Sequence, residues 1–467
     1  DYNTADIGTQ TLHNIILPPF KASAKAKVAT FMNSFNEING IPATGSKFLQ
    51  RSMLKEKWNY KGFIVSDWGS IEEMVAHGYS KDLKSAALSA IKAGSDMDMM
   101  SSAYINYLKN LLDEKKISID IINDAVKRVL SVKYDLGLFS NPYLYCNDAR
   151  EKENIFNDST RALSQEIAQE SIVLLKNDSN ILPLKKSGLK IALLGGLAND
   201  KDSPLGNWRA KAPKNSALSV KEGLTSYNRN TLKYQRGPRL FNNPTFINGH
   251  LNINNSDTSG IYSAIKLATE SDYVIAVLGE HGFQSGEGRS RSKIKLPGLQ
   301  EQFLKEIYKV NKNVILVVMN GRPLDLSWAD KNLPAIVVTW HLGTMSGEAI
   351  SSILYGDSNP SGKLPMSFPR SIGQIPVYYN HKSTGRPGPS ESVFWSHFSD
   401  EKNDPLYPFG YGLSYTDFQY SNLNLKKIGT ESIQVNFNVK NIGNRIGKEI
   451  IQLYIKDLYS SYTRPIK

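Results

Sequence analysis

Short apolar runs alternate with amphipathic segments through the first 140 residues of the chain. The apolar runs predict strands at 28–35, 62–68 and 95–100. The segments around them repeat apolar residues every three or four positions, which predicts helices at 48–58, 84–93, 104–114 and 119–136. This alternation is typical of parallel βα units, whose functional side chains lie at the carboxyl ends of the strands.

A second αβ region follows a polar, aperiodic linker at 141–158. A capped amphipathic helix is expected at 158–177. Continuous β-branched runs then predict strands at 189–196, 273–280, 313–320 and 335–341, with helices at 260–270, 298–310 and 346–355. Strands of this kind are expected in a parallel sheet that is covered on both faces.

The last hundred or so residues have a different pattern. Gly, Pro, Ser and Asn are frequent at 360–411, which predicts a long interdomain connection. Strict alternation at 432–441 and 449–457 predicts two antiparallel strands of a β-sandwich. Such a sandwich needs about seven strands, and a closed barrel needs about eight βα units. Because the chain offers fewer of both and does not start with Met, we expect it to be an interior portion of a longer protein.

Composition excludes several classes of protein. The 467 residues suggest two to four domains, and the net charge is +12. The basic residues are scattered, without a run of five, so a nucleic-acid partner is not expected. Cys146 is the only cysteine, which excludes intrachain disulfides and cysteine-based zinc sites. No apolar run approaches the ~18–20 residues that span a bilayer, so no membrane span is expected.

Carboxylates near strand ends are the candidate chemistry. Asp67 follows a predicted strand and precedes Trp68, while Glu280 ends another strand and Glu287 lies in the glycine-rich loop at 281–291. Two carboxylates with an aromatic platform suit glycoside hydrolysis, in which one attacks the anomeric carbon and the other protonates the leaving oxygen.

Simpler roles for the same residues stay open at this point. Asp67 could cap a helix, and Glu287 could pair with Arg289 or Arg291. The Gly195-Gly196 pair lacks the patterns of nucleotide-binding loops, and isolated His77 is expected to be structural. The aspartates within the predicted strand at 95–100 resemble a metal cluster only superficially, and no metal site is expected there.

Four motifs carry a family resemblance: MNSFNEINGIPAT (32–44), GFIVSDWGSIEEM (62–74), SGKLPMSFP (361–369) and PLYPFGYGLSYT (405–416). In this order they resemble glycoside hydrolase family 3, specifically bacterial β-glucosidases with a C-terminal fibronectin III-like domain. The resemblance implies an α/β multidomain fold: part of a TIM-type (β/α)8 barrel, an αβα sandwich with a mainly parallel sheet, and the start of a fibronectin III-like β-sandwich. The implied limits are 1–140 for the barrel part, 141–180 for a linker and helix, 181–370 for the sandwich, 371–415 for a connection and 416–467 for the partial fibronectin III-like domain.

The resemblance also implies roles for individual residues. Asp67 matches the nucleophile, and Glu287 matches the general acid/base, with Glu280 as the reserve. Met32 and Phe35 match the wall of the sugar subsite, where the family commonly has Tyr in place of Phe35. Retention of configuration would follow, with the two carboxyl groups about 5–5.5 Å apart.

Two tryptophans are candidates for the same subsite. Trp68 is expected to stack on a sugar face, with burial in the core as the alternative. Trp208 is expected to reach the pocket from the second domain, with simple packing as the alternative.

The resulting hypothesis is a retaining exo-acting β-glucosidase that acts on a small oligosaccharide or glucoside and needs no metal or cofactor. The alternatives are a β-xylosidase or α-arabinosidase of the same family, and a non-catalytic carbohydrate-binding relative. The resemblance also implies a periplasmic or secreted location. A homodimer is one assembly that it would allow.

Overall fold

The computed structural model describes residues 2–227, 229–245, 249–388, 390–430 and 432–467. The chain forms two compact units, Asp1–Glu153 (unit 1) and Asn154–Lys467 (unit 2). Each has a hydrophobic core of its own.

Unit 1 combines short strands with longer helices. Its strands are β1 (Thr4–Ala5), β2 (Thr30–Met32), β3 (Glu37–Ile38), β4 (Ile41–Pro42) and β5 (Phe63–Val65). Its helices are α1 (Thr9–Thr11), α2 (Leu17–Lys25), α3 (Ser70–Ala76), α4 (Leu83–Ala93), α5 (Ala103–Asp113) and α6 (Ile119–Asp135), with π-type helices at Leu12–Ile16 and Phe48–Lys57. A further helix, α7 (Asp148–Asn154), forms within the segment predicted to be an aperiodic linker.

Helices α3 to α6 pack around one apolar core, which includes the fully buried Ile71, Met74 and Ala90. Helices α4, α5 and α6 lie within a residue or so of their predicted bounds. Local chemistry explains the limits of α4. Asp82 accepts a hydrogen bond from the amide of Ser85 at 2.7 Å, which closes a capping box, and Gly94 ends the helix in the left-handed region.

The strand predicted at 95–100 is not formed. β5 pairs in parallel with β2, and Met97 adds only a single bridge to Val65. The carboxylate of Asp98 instead accepts the amide of Ala103 at 2.7 Å, at the start of α5. Because a side chain satisfies backbone donors here, the segment does not continue as a strand.

Asp96 forms a buried ion pair with Lys55 at 2.6 Å, and both side chains are at most 4% exposed. The second carboxylate oxygen of Asp96 accepts the amide of Ile64 at 2.9 Å. Burial lowers the pKa of Lys55 and raises the pKa of Asp96, while their mutual attraction opposes both shifts. The ion pair of Asp96 and the hydrogen bond accepted by Asp98 thus give both aspartates of this segment a structural role.

Unit 2 contains the larger sheet. Its strands are β6 (Val173–Asn177), β7 (Lys190–Leu194), β8 (Thr231–Gln235), β9 (Tyr273–Gly279), β10 (Val314–Met319), β11 (Ala335–Val338), β12 (Phe418–Ile428) and β13 (Ser432–Asn441). Its helices are α8 (Asp158–Ser171), α9 (Val220–Thr225), α10 (Ile261–Thr269), α11 (Gln300–Val310), α12 (Ser327–Asn332) and α13 (Ser346–Leu354).

The large sheet has six strands in the order β6-β11-β10-β9-β7-β8, and every pairing except β6 with β11 is parallel. All six residues of β10 are buried, as its continuous apolar run predicts. Apolar clusters cover both faces of the sheet. The mainly parallel sheet predicted from the sequence is therefore confirmed, although β8 was not predicted.

The helix predicted at 158–177 is too long. Asn157 caps α8 by accepting the amide of Thr160 at 2.8 Å, but the helix ends at Ser171 and residues Val173–Asn177 form β6. The apolar residues Val173–Leu175 are buried, and the strand pairs with β11. Packing in the sheet outweighs helical periodicity here, because a run of four or five apolar residues satisfies either pattern.

The pairing of the C-terminal strands differs from the prediction. β13 occupies the predicted 432–441, but it pairs with β12 in an antiparallel sheet of two strands, not with 449–457. No strand forms at 449–457 in the described chain. Alternation makes a segment suitable for a strand, but a strand also needs a hydrogen-bonded neighbour.

Parts of the predicted connection at 360–411 belong to the core of unit 2. Leu364 and Phe368 are at most 1% exposed, and Phe368 forms a bridge with Tyr407. Among the described residues, no helix combines the length and apolar character needed to cross a bilayer.

Candidate active site

In unit 1, Asp67 lies two residues beyond the end of β5. The preceding Ser66 is fully buried, and hydrogen bonds hold both its amide and its hydroxyl. Its amide donates to the carbonyl of Met97 at 2.9 Å, and its hydroxyl accepts the amide of Met99 at 2.8 Å. These bonds fix the main chain just before Asp67, so its side chain is presented at the carboxyl end of the strand.

The Asp67 carboxylate is half-buried and accepts the amide of Trp68 at 2.7 Å. The residue preceding α3 is Gly69, and among the described residues the Asp67 carboxylate accepts the amide of Trp68 and no amide of α3, so Asp67 is not a side-chain helix cap. Trp68 is 62% exposed, which excludes a place in the core of unit 1. An exposed indole beside a carboxylate is suited to stacking on a sugar ring.

Met32 and Phe35 lie near the same strand end. Met32, the last residue of β2, is the register partner of Val65 and is 55% exposed. Phe35 is half-buried, and its ring centroid lies 5.0 Å from that of Tyr2. Unit 1 thus brings Met32 to the strand end that presents Asp67.

Two further titratable groups, Glu73 and His77, lie on or next to α3. Burial raises the pKa of Glu73, and the charge of Asp67 adds to this shift while His77 opposes it. The Nε2 atom of His77 lies 3.1 Å from the carbonyl oxygen of Phe35, which agrees with the structural role expected for this histidine.

In unit 2, Glu287 lies in the loop that follows β9 and is half-buried. It is flanked by Gly286 and Gly288, which have φ values of +112° and +67°. A Cβ atom at Gly286 would lie 2.4 Å from Nδ2 of Asn207. Positive φ and this close approach both require glycine there, so the turn around Glu287 depends on its neighbours.

Trp208 lies beside this loop. Its neighbour Asn207 contacts Gly286, and the guanidinium of Arg209 lies 4.7 Å from the ring centroid of Phe283. Trp208 itself is 73% exposed, so the alternative of simple packing is not supported within unit 2. The loops after β7 and β9 therefore bring Trp208 and Glu287 to the same end of the sheet.

Glu280, the reserve candidate for the acid/base, has a different environment. Its side chain is 0% exposed and forms ion pairs with Arg291 at 2.7 Å and with Arg322 at 3.1 Å. A carboxylate buried between two guanidinium groups has no access to a substrate oxygen within this unit. Arg291 is thereby assigned to Glu280, and not to Glu287 as the sequence allowed.

A histidine with buried ring nitrogens lies near the loop. His341 is near Gly321, and neither of its ring nitrogens makes a well-formed hydrogen bond to a described residue. Burial, helped by the nearby His281, lowers the pKa of His341 to about 4, although the main chain of Ser203 and the charge of Asp200 oppose the shift.

We expect His341 to make unit 2 less stable in acid. Its pKa is depressed from 6.5 to about 4 on folding, so the unfolded chain binds the proton more readily. Above pH 6.5 the histidine is neutral in both states and does not affect the free energy of unfolding. As the pH falls from 6.5 towards 4, protonation of the unfolded chain lowers the free energy of unfolding by about 3 kcal/mol in all. Urea unfolding at pH 7 and pH 4 measures this effect. Between the two pH values, the free energy of unfolding should fall less for His341→Gln than for the wild type. The exposed His381→Gln is the control, and an equal acid loss in all three proteins would contradict the assignment.

Sequence reasoning missed Arg322 and His341. Each lies shortly after the carboxyl end of a buried parallel strand, β10 or β11. That position was the available signal, because the same rule had already singled out Asp67 and Glu280.

The sequence and the fold of the chain are similar to those of known proteins. The chain matches the Glycosyl hydrolase family 3 N terminal domain over residues 1–132 and the Glycosyl hydrolase family 3 C-terminal domain over residues 172–415. It is 39% identical to a periplasmic beta-glucosidase of Salmonella typhimurium, over 100% of this chain and 63% of that protein. It is 34% identical to a beta-xylosidase of Formosa agariphila, over 99% of this chain and 64% of that protein.

A solved structure is also similar. The crystal structure of a beta-glucosidase from Listeria innocua superposes with a TM-score of 0.92 at 36% identity, over 100% of this chain and 63% of that one. The chain thus spans somewhat less than two thirds of the length of these relatives. With one family model matching more than half of its residues, the chain belongs to glycosyl hydrolase family 3.

Proposed function

We propose that the protein is a retaining exo-acting β-glucosidase that removes terminal β-D-glucosyl residues from small oligosaccharides or glucosides. Asp67 is the nucleophile and Glu287 the general acid/base. The single observation that carries this proposal is the presentation of Asp67 beyond β5, with its carboxylate half-buried next to the exposed indole of Trp68. The similarity to beta-glucosidases of Salmonella typhimurium and Listeria innocua supports the choice of glucose.

The reaction uses both carboxyl groups twice. The Asp67 carboxylate attacks the anomeric carbon, and the bond to the leaving oxygen breaks as Glu287 transfers its proton to that oxygen. Glu287, now a carboxylate, then removes a proton from water, and the oxygen of that water attacks the anomeric carbon and releases Asp67. Two inversions at one carbon give net retention. Trp68, Met32, Phe35 and Trp208 are proposed to line the sugar and aglycone positions.

Trapping the intermediate tests this proposal. The full-length protein is incubated with a 2-deoxy-2-fluoro-β-glucosyl fluoride, and its intact mass and peptides are measured. We expect one fluoroglucosyl group on the peptide that contains Asp67, and none on the Asp67→Ala variant. Sugar binding by calorimetry with neither an adduct nor turnover would favour a non-catalytic carbohydrate-binding relative instead.

A β-xylosidase is the second candidate, because a beta-xylosidase of Formosa agariphila is 34% identical to this chain. Xylosides lack the hydroxymethyl group of glucosides, so the two activities differ in the pocket around C5. The ratio of kcat/KM for 4-nitrophenyl β-glucoside, β-xyloside and α-arabinoside decides between them. A ratio that favours the xyloside would replace glucose in the proposal while keeping both carboxylates.

The finer architecture and the location are part of the same proposal. Unit 1 supplies the last βα units of a TIM-type barrel, the sheet of unit 2 forms an αβα sandwich, and β12 and β13 begin a fibronectin III-like domain. The proposed domain limits are those that the family resemblance implies, with β6 (Val173–Asn177) added to the sheet of the sandwich. The similarity to a relative named as periplasmic supports a periplasmic or secreted location.

A further inference from the structure

Arg322 joins the two ends of the turn that carries Glu287. It follows β10, and its Nη2 atom donates hydrogen bonds to the carbonyl oxygens of Gln284 and Arg289, the latter at 2.7 Å. These carbonyls lie three residues before and two residues after Glu287. One guanidinium therefore bridges the short segment in which Glu287 is the central carboxylate.

Glu280 holds that guanidinium in place. Its buried carboxylate lies 3.1 Å from Nε of Arg322 and 2.7 Å from Nη1 of Arg291, at the far end of the loop. The amide of Glu280 donates to the carbonyl of Met319 at 2.7 Å, which ties the residue to the end of β10. The loop is thus connected to the rigid sheet through one carboxylate and two arginines.

Packing leaves this arrangement little freedom. A Cβ atom at Gly321 would lie 1.9 Å from Oγ of Ser285, so the segment that carries Arg322 lies directly against the loop. Ser285 is 6% exposed. A shift of the loop would therefore need a concerted movement of the residues after β10.

We propose that Arg322 and Glu280 are positioning residues that hold Glu287 where it can protonate the leaving oxygen. This inference rests on the proposed function, because it assigns Glu287 the acid/base role. Arg322 acts through the main chain on both sides of Glu287, and Glu280 acts by orienting Arg322. Their loss moves the acid/base without removing it.

Such a role has a kinetic signature that a general packing role does not have. Protonation by Glu287 matters for a poor leaving group and hardly matters for an activated one. A displaced acid should therefore lower kcat/KM for phenyl β-glucoside but leave kcat/KM for 2,4-dinitrophenyl β-glucoside nearly unchanged. Loss of folded protein or of sugar binding would lower both values equally.

The test is Arg322→Lys in the full-length protein, since lysine keeps the charge but cannot reach Glu280 and two carbonyls with a planar fork. We expect kcat/KM for phenyl β-glucoside to fall about 10–100-fold, the effect of misplacing a catalytic group by about 1 Å. The value for the dinitrophenyl substrate should fall less than about threefold. Glu280→Gln should show the same selectivity, and it serves as the second variant if Arg322→Lys does not fold.

Arg370→Lys is the matched control. Arg370 also donates to two main-chain carbonyls, those of Asp404 at 2.9 Å and Pro405 at 3.4 Å, and its side chain is 23% exposed against 21% for Arg322. The Arg370→Lys variant should have the same kcat/KM as the wild type for both substrates. Equal losses on both substrates, or no loss on either, in the folded Arg322 or Glu280 variant would overturn the inference. If the wild type hydrolyses neither glucoside, or Glu287→Ala lacks the selectivity, the proposed function itself fails.

Discussion

Replacing Asp67 by alanine is expected to lower kcat for aryl β-glucosides by at least about 10⁴-fold, the scale seen when a catalytic nucleophile is removed. The physical reason is that no other group on the described part of β5 or α3 can form the bond to the anomeric carbon from that position. The fold should persist, because within the described part of the chain the Asp67 side chain accepts only the amide of Trp68 and does not cap α3. Steady-state kinetics measure the fall in kcat, and a thermal melt checks that the variant is still folded.

Azide separates this result from simple damage to the site. In Asp67→Ala the small anion can enter the space left by the carboxylate and attack the anomeric carbon once, which gives the inverted α-glucosyl azide. Glu72→Ala is the control, because Glu72 is an exposed carboxylate in the first turn of α3 and should be dispensable. Undiminished hydrolysis by Asp67→Ala would exclude Asp67 as the nucleophile.

Replacing Glu287 by alanine is expected to lower kcat/KM for phenyl β-glucoside by about 10²–10⁴-fold, the usual contribution of general acid catalysis. The value for 2,4-dinitrophenyl β-glucoside should change little, since this leaving group departs without a proton. The kcat of Glu287→Ala for the dinitrophenyl substrate should still fall, because no base then activates the water that attacks the intermediate. A comparison of the two substrates measures the effect.

Azide again provides the decisive product. Because Asp67 still forms the intermediate, azide should attack it in the second step and give the retained β-glucosyl azide. The matched control is Glu391→Ala, an exposed carboxylate elsewhere in unit 2. An equal loss on both substrates, or an α-azide product, would show that Glu287 is not the acid/base.

Elements whose pattern is long and periodic were predictable from the sequence. The helices α4 to α6 and the strands β7, β9, β10 and β11 fall close to their expected positions. The errors occur where one short segment suits two structures, as at β6, or where pairing depends on distant residues. β12 and β13 illustrate the second case, because alternation at 449–457 does not reveal that this segment lacks a neighbouring strand.

The candidate site was only partly predictable, for a related reason. Asp67 and Glu287 could be singled out because strand ends and glycine-rich loops leave a local signal. The roles of Glu280 and Arg322 depend on contacts between segments 42 residues apart, and composition around either residue does not indicate them. Equally, only the structure shows that Trp68 and Trp208 are exposed.

The bonds from Arg322 to the loop have a consequence for how such a loop can change. The carbonyls of Gln284 and Arg289 are main-chain groups, which every residue type possesses. Side chains can therefore be exchanged without loss of these two bonds, except at Gly286 and Gly288, whose positive φ values favour glycine. A library built at the exposed residues Ser290, Ser292 and Lys293 is therefore expected to alter which aglycones are accepted while Glu287, the proposed acid/base, keeps its position. The structure thus separates the main-chain groups that Arg322 holds from the exposed side chains that can be varied.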